Sequence, residues 1–185
     1  PHRCNPPLAS GPVLGDVLAY RTGTSGSRVV FRADQDSDQV FELYSVREDG
    51  QGPAVPISGD ISSADSVQPI FARSAAGHRV VYQRDTIGGP FVLYGTSPIG
   101  QEDADELDND QYLFPGPFLF TPDETRVVYR KELFFGNRYG LFSQTLDASG
   151  PPIHLNAGAI AACSVEDVLL DPSGARAVYR ADQDV

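Results

Sequence analysis

The chain has 185 residues, with 25 acidic and 14 basic side chains and a formal net charge of −11. This length is enough for one domain with a sizeable core or for two small ones. The acidic balance argues against nucleic acid and anionic membranes as partners, because neither is bound without a basic patch. The apolar fraction of 41% is too high for a disordered acidic tail. No apolar run reaches the length of a membrane span.

A short strand-like motif occurs four times along the chain. It reads Arg-Val-Val-Phe-Arg at its first occurrence, and its copies begin at Arg28, Arg79, Arg126 and Arg176. The residues two positions before these arginines are Gly26, Gly77, Glu124 and Gly174. Glycine at this point, with Pro, Asp and Ser around it, predicts a tight turn. The copies are 51, 47 and 50 residues apart, and a period of this length indicates a repeat architecture.

Each repeat predicts four short strands, which we call A to D in chain order. In the first repeat, strand A lies over 17–20, strand B begins at Arg28, strand C lies over 41–46 and strand D over 54–58. These segments are rich in Val, Phe, Tyr and Leu and are bounded by turn residues. No helical periodicity is sustained for three turns. The acidic run over 101–111 is predicted to be a solvated loop between strands C and D.

Strand B has apolar residues at consecutive positions, whereas a strand with one wet face would alternate. This pattern predicts that both faces of the strand are covered. Four-stranded antiparallel sheets that repeat every 47–51 residues and stack face to face describe a β-propeller. The alternative is a β-sandwich in which the motif recurs by chance, but a fixed long period is rare in sandwiches. The predicted fold is therefore an all-β propeller built of four-stranded antiparallel blades.

The repeat predicts three full blades with a partial blade at each end. The end of a preceding blade and a linker lie over 1–16, blade 1 over 17–58, blade 2 over 67–113, blade 3 over 117–156, and the first half of a fourth blade over 165–185. We expect a fragment of a larger propeller, or a protomer that completes its ring with another copy. Apolar end faces and unpaired edges are expected, and they favour association.

The repeat resembles the WD40-like repeats of TolB-type bacterial β-propellers. Residues 172–179 read Pro-Ser-Gly-Ala-Arg-Ala-Val-Tyr and match the turn and strand B of that pattern. Residues 41–46 read Phe-Glu-Leu-Tyr-Ser-Val and match its strand C. The resemblance covers nearly the whole chain. It implies a periplasmic partner protein, a secreted or cell-surface module, or a gating domain beside a serine-peptidase domain, and the fold does not choose among them.

The loop between strands B and C carries a candidate metal site. Its aspartates are Asp34, Asp36 and Asp38, and Asp182 and Asp184 recur at the same point of the fourth repeat. Oxygen ligands at alternate positions suit a hard cation such as Ca²⁺, which here would rigidify the rim. The alternative is a solvated turn, because Asp and Ser are favoured turn residues. The EF-hand pattern is incomplete in this loop.

The other reactive residues give weaker signals. Cys4 and Cys163 permit one disulfide. They could meet in a closed four-blade ring, but in a seven- or eight-blade ring they would lie beyond the bridging limit of about 7 Å. Independent thiols, or pairing with cysteines outside this chain, are the alternatives. The three histidines show no zinc-ligand spacing, and neither a nucleophile elbow nor a phosphate-binding glycine loop occurs.

The repeated arginines are expected to pair with a carboxylate or a loop carbonyl at each turn, and the aromatic residues of strands B and C are expected to form the core between blades.

Repeats without a catalytic constellation predict a non-enzymatic, extracytoplasmic module that binds protein or itself. Two alternatives stay open. One is the propeller domain of a larger serine hydrolase or peptidase, and the other is a structural subunit of an extracellular surface or filament assembly.

Overall fold

The computed structural model describes residues 16–24, 27–62, 65–86, 89–100, 103–110, 116–134, 138–157 and 164–182. Over these ranges the chain forms fourteen strands and no helix. A helix of the length and apolarity needed to cross a membrane is accordingly not found among them.

The strands form antiparallel sheets in chain order. The first sheet contains β1 (Val17–Thr22), β2 (Arg28–Ala33), β3 (Glu42–Arg47) and β4 (Val55–Pro56). The second contains β5 (Asp65–Arg73), β6 (Val80–Thr86), β7 (Phe91–Thr96) and β8 (Asp105–Asp110). The third contains β9 (Leu119–Phe120), β10 (Arg126–Phe134), β11 (Arg138–Thr145) and β12 (Ile153–His154). A two-stranded sheet of β13 (Ser164–Leu170) and β14 (Ala177–Asp182) follows.

These sheets confirm the predicted all-β class and the four-stranded antiparallel units. Within each unit the strands pair as nearest neighbours, so strand A pairs with B, B with C and C with D. The repeated motif opens β2 and β10, while in β6 and β14 the strand begins one residue after the arginine. The number of blades in the complete ring stays a prediction.

Consecutive residues of strand B pack against opposite neighbours. In β6, Val80 and Tyr82 pack in a cluster with residues of the first sheet, and Val81 packs in a cluster with residues of the third. All three side chains are 0% exposed. The predicted covering of both strand faces is therefore confirmed, and the sheets stack face to face as propeller blades do.

Aromatic side chains repeat between strands B and C. Directly opposite pairs stack with ring centroids 5.7, 5.5 and 6.1 Å apart, in the order Phe31–Tyr44, Tyr82–Tyr94 and Tyr129–Phe142. Cross-strand aromatic pairs of this kind stabilise a sheet beyond the area that they bury. Tyr179, at the same position in β14, is 36% exposed.

The turns before strand B contact one another from sheet to sheet. Gly77 and Gly174 adopt positive φ angles of 85° and 73°, and Glu124 takes the same place in the third sheet at 53°. A Cβ at Gly174 would collide with Cδ of Pro122 in the preceding turn, so glycine is required there by space as well as by φ. The Glu124 carboxylate accepts a hydrogen bond from the Ala76 backbone N–H at 2.7 Å, which ties the third turn to the second.

The solvated loop predicted over the acidic run 101–111 is wrong for Asp105–Asp110, which form a strand. β8 pairs with β7, and Leu107 in its middle is 2% exposed. Leu107 covers Gly95, where an added Cβ would lie only 3.1 Å from Leu107 Cδ1. Asp108 accepts a hydrogen bond from the Tyr129 hydroxyl at 2.6 Å and lies 3.0 Å from Nζ of Lys131. Backbone pairing with β7, the burial of Leu107 and these two contacts of Asp108 stabilise the strand despite the repulsion among its acidic side chains.

The predicted open apolar face is present in the two-stranded sheet of β13 and β14. Val30, Val81 and Val128 occupy one repeat position and are 0%, 0% and 4% exposed, whereas Val178 at the same position is 66% exposed. Leu169 lies directly opposite Val178 and is also 66% exposed. In the first sheet, Phe31, Ala33, Tyr44 and Val46 are buried in one cluster, while Leu18 and Tyr20 of β1 are 55% and 66% exposed.

Shortening the same valine at two repeat positions tests the stacking. Val81→Ala should lower the free energy of unfolding by about 2–3 kcal/mol, because it leaves a cavity between two sheets. Val178→Ala should change it by less than about 0.5 kcal/mol, since that side chain is exposed. Urea unfolding measures both, and equal losses would contradict the packing described.

Candidate functional site

Asp34 of the predicted calcium loop holds the loop itself together. Its side chain is 1% exposed. Oδ1 accepts a hydrogen bond from the Asp16 backbone N–H at 2.6 Å, and Oδ2 accepts one from the Gln39 N–H at 3.2 Å. Both carboxylate oxygens therefore bind backbone donors, as turn aspartates commonly do.

The other predicted ligands are placed differently from Asp34. Asp36 is exposed and accepts a hydrogen bond from the Tyr44 hydroxyl at 3.2 Å, while one oxygen of Asp38 is buried without a hydrogen-bond partner. Asp182 ends β14 and is in register with Ser164. Asp184, Cys4 and Cys163 lie outside the described residues, so the disulfide stays a prediction.

Over the described ranges, no group of three or more His, Cys, Asp or Glu side chains is arranged to hold a metal ion. Both carboxylate oxygens of Asp34 bind backbone amides. The aspartates at alternate positions of the loop therefore do not point at a common metal position. The calcium site at these aspartates thus stays a prediction from the sequence, and the geometry adds no support to it.

An acidic cleft of about 500 Å³ opens beside the same loop, between the first and second sheets. The carboxylates that line it are Asp36, Glu42, Asp60 and Asp103. Its apolar wall is formed by Val40, Pro56, Ile57 and Ile61. Four carboxylates beside aliphatic side chains suit a cationic group that carries an apolar flank. We call this site the acidic cleft.

Glu42 is the buried carboxylate of the acidic cleft and is 8% exposed. Burial raises the pKa of its carboxyl group, and the negative charges of Asp36 and Asp60 raise it further. A hydrogen bond from the Tyr44 hydroxyl opposes this shift by stabilising the ionised form. Burial and the neighbouring Glu42 carboxylate also raise the pKa of Tyr44. The phenol therefore remains a hydrogen-bond donor to Glu42 and Asp36.

The sequence singled out Asp36 of this cleft and missed Asp60 and Asp103. Asp60 lies between the first and second sheets, and Asp103 lies in the loop before β8. Neither belongs to a recognisable spacing with Asp36. Their convergence arises from the stacking of two sheets, and that geometry has no local signal in the sequence.

The repeated arginines make a structural contact within their own sheet. Arg28 Nε donates to Ser45 Oγ at 2.8 Å, and Arg126 Nε donates to Ser143 Oγ at 2.9 Å. In both cases Nη2 also reaches the backbone carbonyl of the same serine. The predicted repetition is confirmed for these two, but the predicted partner at the turn is wrong, because the serine belongs to strand C.

A second set of arginines joins neighbouring sheets. Arg32 Nε donates to the Val67 carbonyl at 2.7 Å, and Arg130 Nη1 donates to the Val165 carbonyl at 3.2 Å. Each carbonyl belongs to the first strand of the following sheet. Arg32 also lies over the Phe41 ring at 3.9 Å from its centroid. The second arginine of the Arg-Val-Val-Phe-Arg motif is the sequence feature from which this contact could have been predicted.

Comparison with known proteins agrees with this architecture. No family model and no curated protein sequence matches the chain. Among solved structures, a protein assigned as TolB from Agrobacterium tumefaciens matches with a TM-score of 0.60 and 14% identity over 90% of this chain. A prolyl endopeptidase matches with a TM-score of 0.62 and 14% identity over 91% of this chain.

The chain therefore has the fold of a TolB-like β-propeller. It spans 55% of the length of the TolB-type structure and 26% of the length of the prolyl endopeptidase. At this level of identity the likeness defines the fold, and the functions of the two proteins do not transfer with it.

Removing the Glu42 charge tests the electrostatics of the acidic cleft. The raised pKa means that the native state binds the proton more tightly than the unfolded state does. That stabilisation is complete below the ordinary Glu pKa of 4.5 and is lost as the pH rises through the native pKa. The unfolding free energy of the parent protein minus that of Glu42→Gln should therefore fall as the pH rises above 4.5. Chemical unfolding across this range measures it, and a constant difference would contradict the assignment.

Proposed function

We propose that this chain is a non-catalytic propeller module, located outside the cytoplasm, that works by binding protein. The observation that carries the proposal is the exposed face of the β13–β14 hairpin, with Val178 and Leu169 at its centre. Support for the location comes from the resemblance of the repeats to TolB-type propellers. Partner binding by exposed sheet faces is a common use of such folds.

The occupant that fits the hairpin face is a further sheet of the same repeat. Val178 continues a series of valines in which Val81 and Val128 each pack in a cluster shared with the following sheet. Arg180 continues the series of Arg32 and Arg130, which donate to a carbonyl of the following sheet. Arg180 is instead held by Glu166 at 2.8 Å, in a pair that is more than half exposed. The face thus carries the apolar and the polar half of an intersheet contact.

We infer that a second copy of the chain supplies such a sheet. The proposal therefore commits to self-association through the hairpin face. A structural subunit of a surface or filament assembly, the third possibility raised by the sequence, would use the same contact repeatedly.

The likeness to a prolyl endopeptidase supports a second candidate, the propeller domain of a larger serine hydrolase or peptidase. Of the described histidines, neither His78 nor His154 is hydrogen-bonded to a serine. The hydrolytic centre would then belong to another domain. Labelling of the natural protein by a fluorophosphonate probe would favour this candidate over a purely binding module.

Light scattering across a wide range of protein concentration tests the self-association. The mass of the parent chain should rise with concentration, and Leu169→Glu or Val178→Glu should keep it monomeric, because a buried unpaired charge opposes the contact. Ile153→Glu is the matched control, since Ile153 is 53% exposed on β12, away from the hairpin face. A strictly monomeric parent chain, or equal effects of all three variants, would overturn the proposal.

A further inference from the structure

A second cleft, of about 460 Å³, lies at the opposite end of β2 from the acidic cleft. Its charged side chains are Arg28, Arg73, Arg79 and His78, and none of its lining residues is Asp or Glu. Pro98 and Ile99 form an apolar wall, and Ile99 is 51% exposed. We propose that this basic cleft binds a carboxylate that carries an apolar flank, as an acidic peptide segment does.

Arg79 has lost the structural partner that its repeat position provides elsewhere. The first and third sheets offer Ser45 and Ser143 to their arginines, but Gly95 occupies this place in the second sheet. Leu107 covers Gly95 closely, so a serine side chain there would require Leu107 to shift. Over the described residues, the Arg79 guanidinium makes neither a hydrogen bond nor an ion pair. It is therefore available to a ligand.

The other two guanidinium groups are fixed in position. Arg28 is held by Ser45, and Arg73 donates to the carbonyls of Gly77 at 3.2 Å and of Arg28 at 2.5 Å. Gly77 leaves the space that Arg73 needs, since an added Cβ would lie 2.6 Å from Arg73 Nη2. The Nε and Nη2 donors of Arg28 and Arg73 are already used by these contacts, so both residues contribute fixed positive charge. The planar fork that matches a carboxylate is supplied by Arg79.

The charged residues that line the basic cleft are all basic, and Glu48 and Glu124 offset part of their charge from outside the lining. Burial lowers the pKa of Arg28, and the positive charges of Arg47 and Arg73 lower it further. Burial also lowers the pKa of Arg73, against the attraction of Glu48 and Glu124. Glu124 lies 3.4 Å from His78, at the edge of the cleft. In a chain with a net charge of −11, three arginines around one concave surface give a local field that attracts anions.

This site is separate from the hairpin face, so its test is independent of self-association. The probe is a fluorescein-labelled peptide of alternating Glu and Leu, with a Gln–Leu peptide of the same length as the neutral control. The labelled acidic peptide should bind the parent chain, measured by fluorescence anisotropy, and binding should weaken as salt is added. Arg79→Gln should weaken it by about tenfold or more, because a charge-assisted contact is lost.

Arg176→Gln is the matched control, because Arg176 occupies the same repeat position in β13–β14 and lies outside the cleft. It removes an equal charge and should leave the affinity unchanged. Arg79→Lys should retain part of the affinity, which separates loss of a ligand contact from misfolding. Equal losses in Arg79→Gln and Arg176→Gln, equal binding of the neutral peptide, or no binding at all would overturn the proposal. Displacement of the peptide by low concentrations of inorganic phosphate would overturn the carboxylate assignment.

Discussion

The whole arrangement depends on strand B being buried on both of its faces. Val80 and Tyr82 pack towards one neighbouring sheet and Val81 towards the other, and all three are fully buried. A small four-stranded sheet cannot form a core by itself, so each unit depends on packing against its neighbours. The arginine contacts from Arg32 and Arg130 and the contacts between turns then fix how the sheets are oriented.

The candidate binding surfaces arise where the repeat is broken. In the second sheet Gly95 replaces the serine that binds the arginine elsewhere, and Arg79 is left without that partner in the basic cleft. In the last sheet Val178, whose counterparts pack between sheets, is exposed to solvent. The acidic and basic clefts lie near opposite ends of β2, at the junction between the first two sheets. One junction therefore offers two surfaces of opposite charge, each beside apolar side chains.

The fold was largely predictable because its signal is local and repeated. The four copies of Arg-Val-Val-Phe/Tyr mark strand B, and their consecutive apolar residues imply two covered faces. β8 was missed because Leu107 alone marks it within an acidic run, and its stability comes from pairing with β7. The clefts were missed because Asp36 and Asp103, or Arg28 and Arg79, meet only when the first and second sheets stack. At Asp34 the sequence suggested a metal ligand, but the structure shows a residue that stabilises the loop by accepting backbone hydrogen bonds.

Native-state hydrogen exchange tests the two-sided burial of strand B most directly. Amides of β6 and β10 should exchange only through opening that approaches global unfolding, because each strand lies in the middle of a sheet between stacked neighbours. Amides of β14 should exchange at much lower opening free energies, since the face that carries Val178 is exposed. Protection of β14 equal to that of β6 and β10 in the monomeric chain would contradict the account.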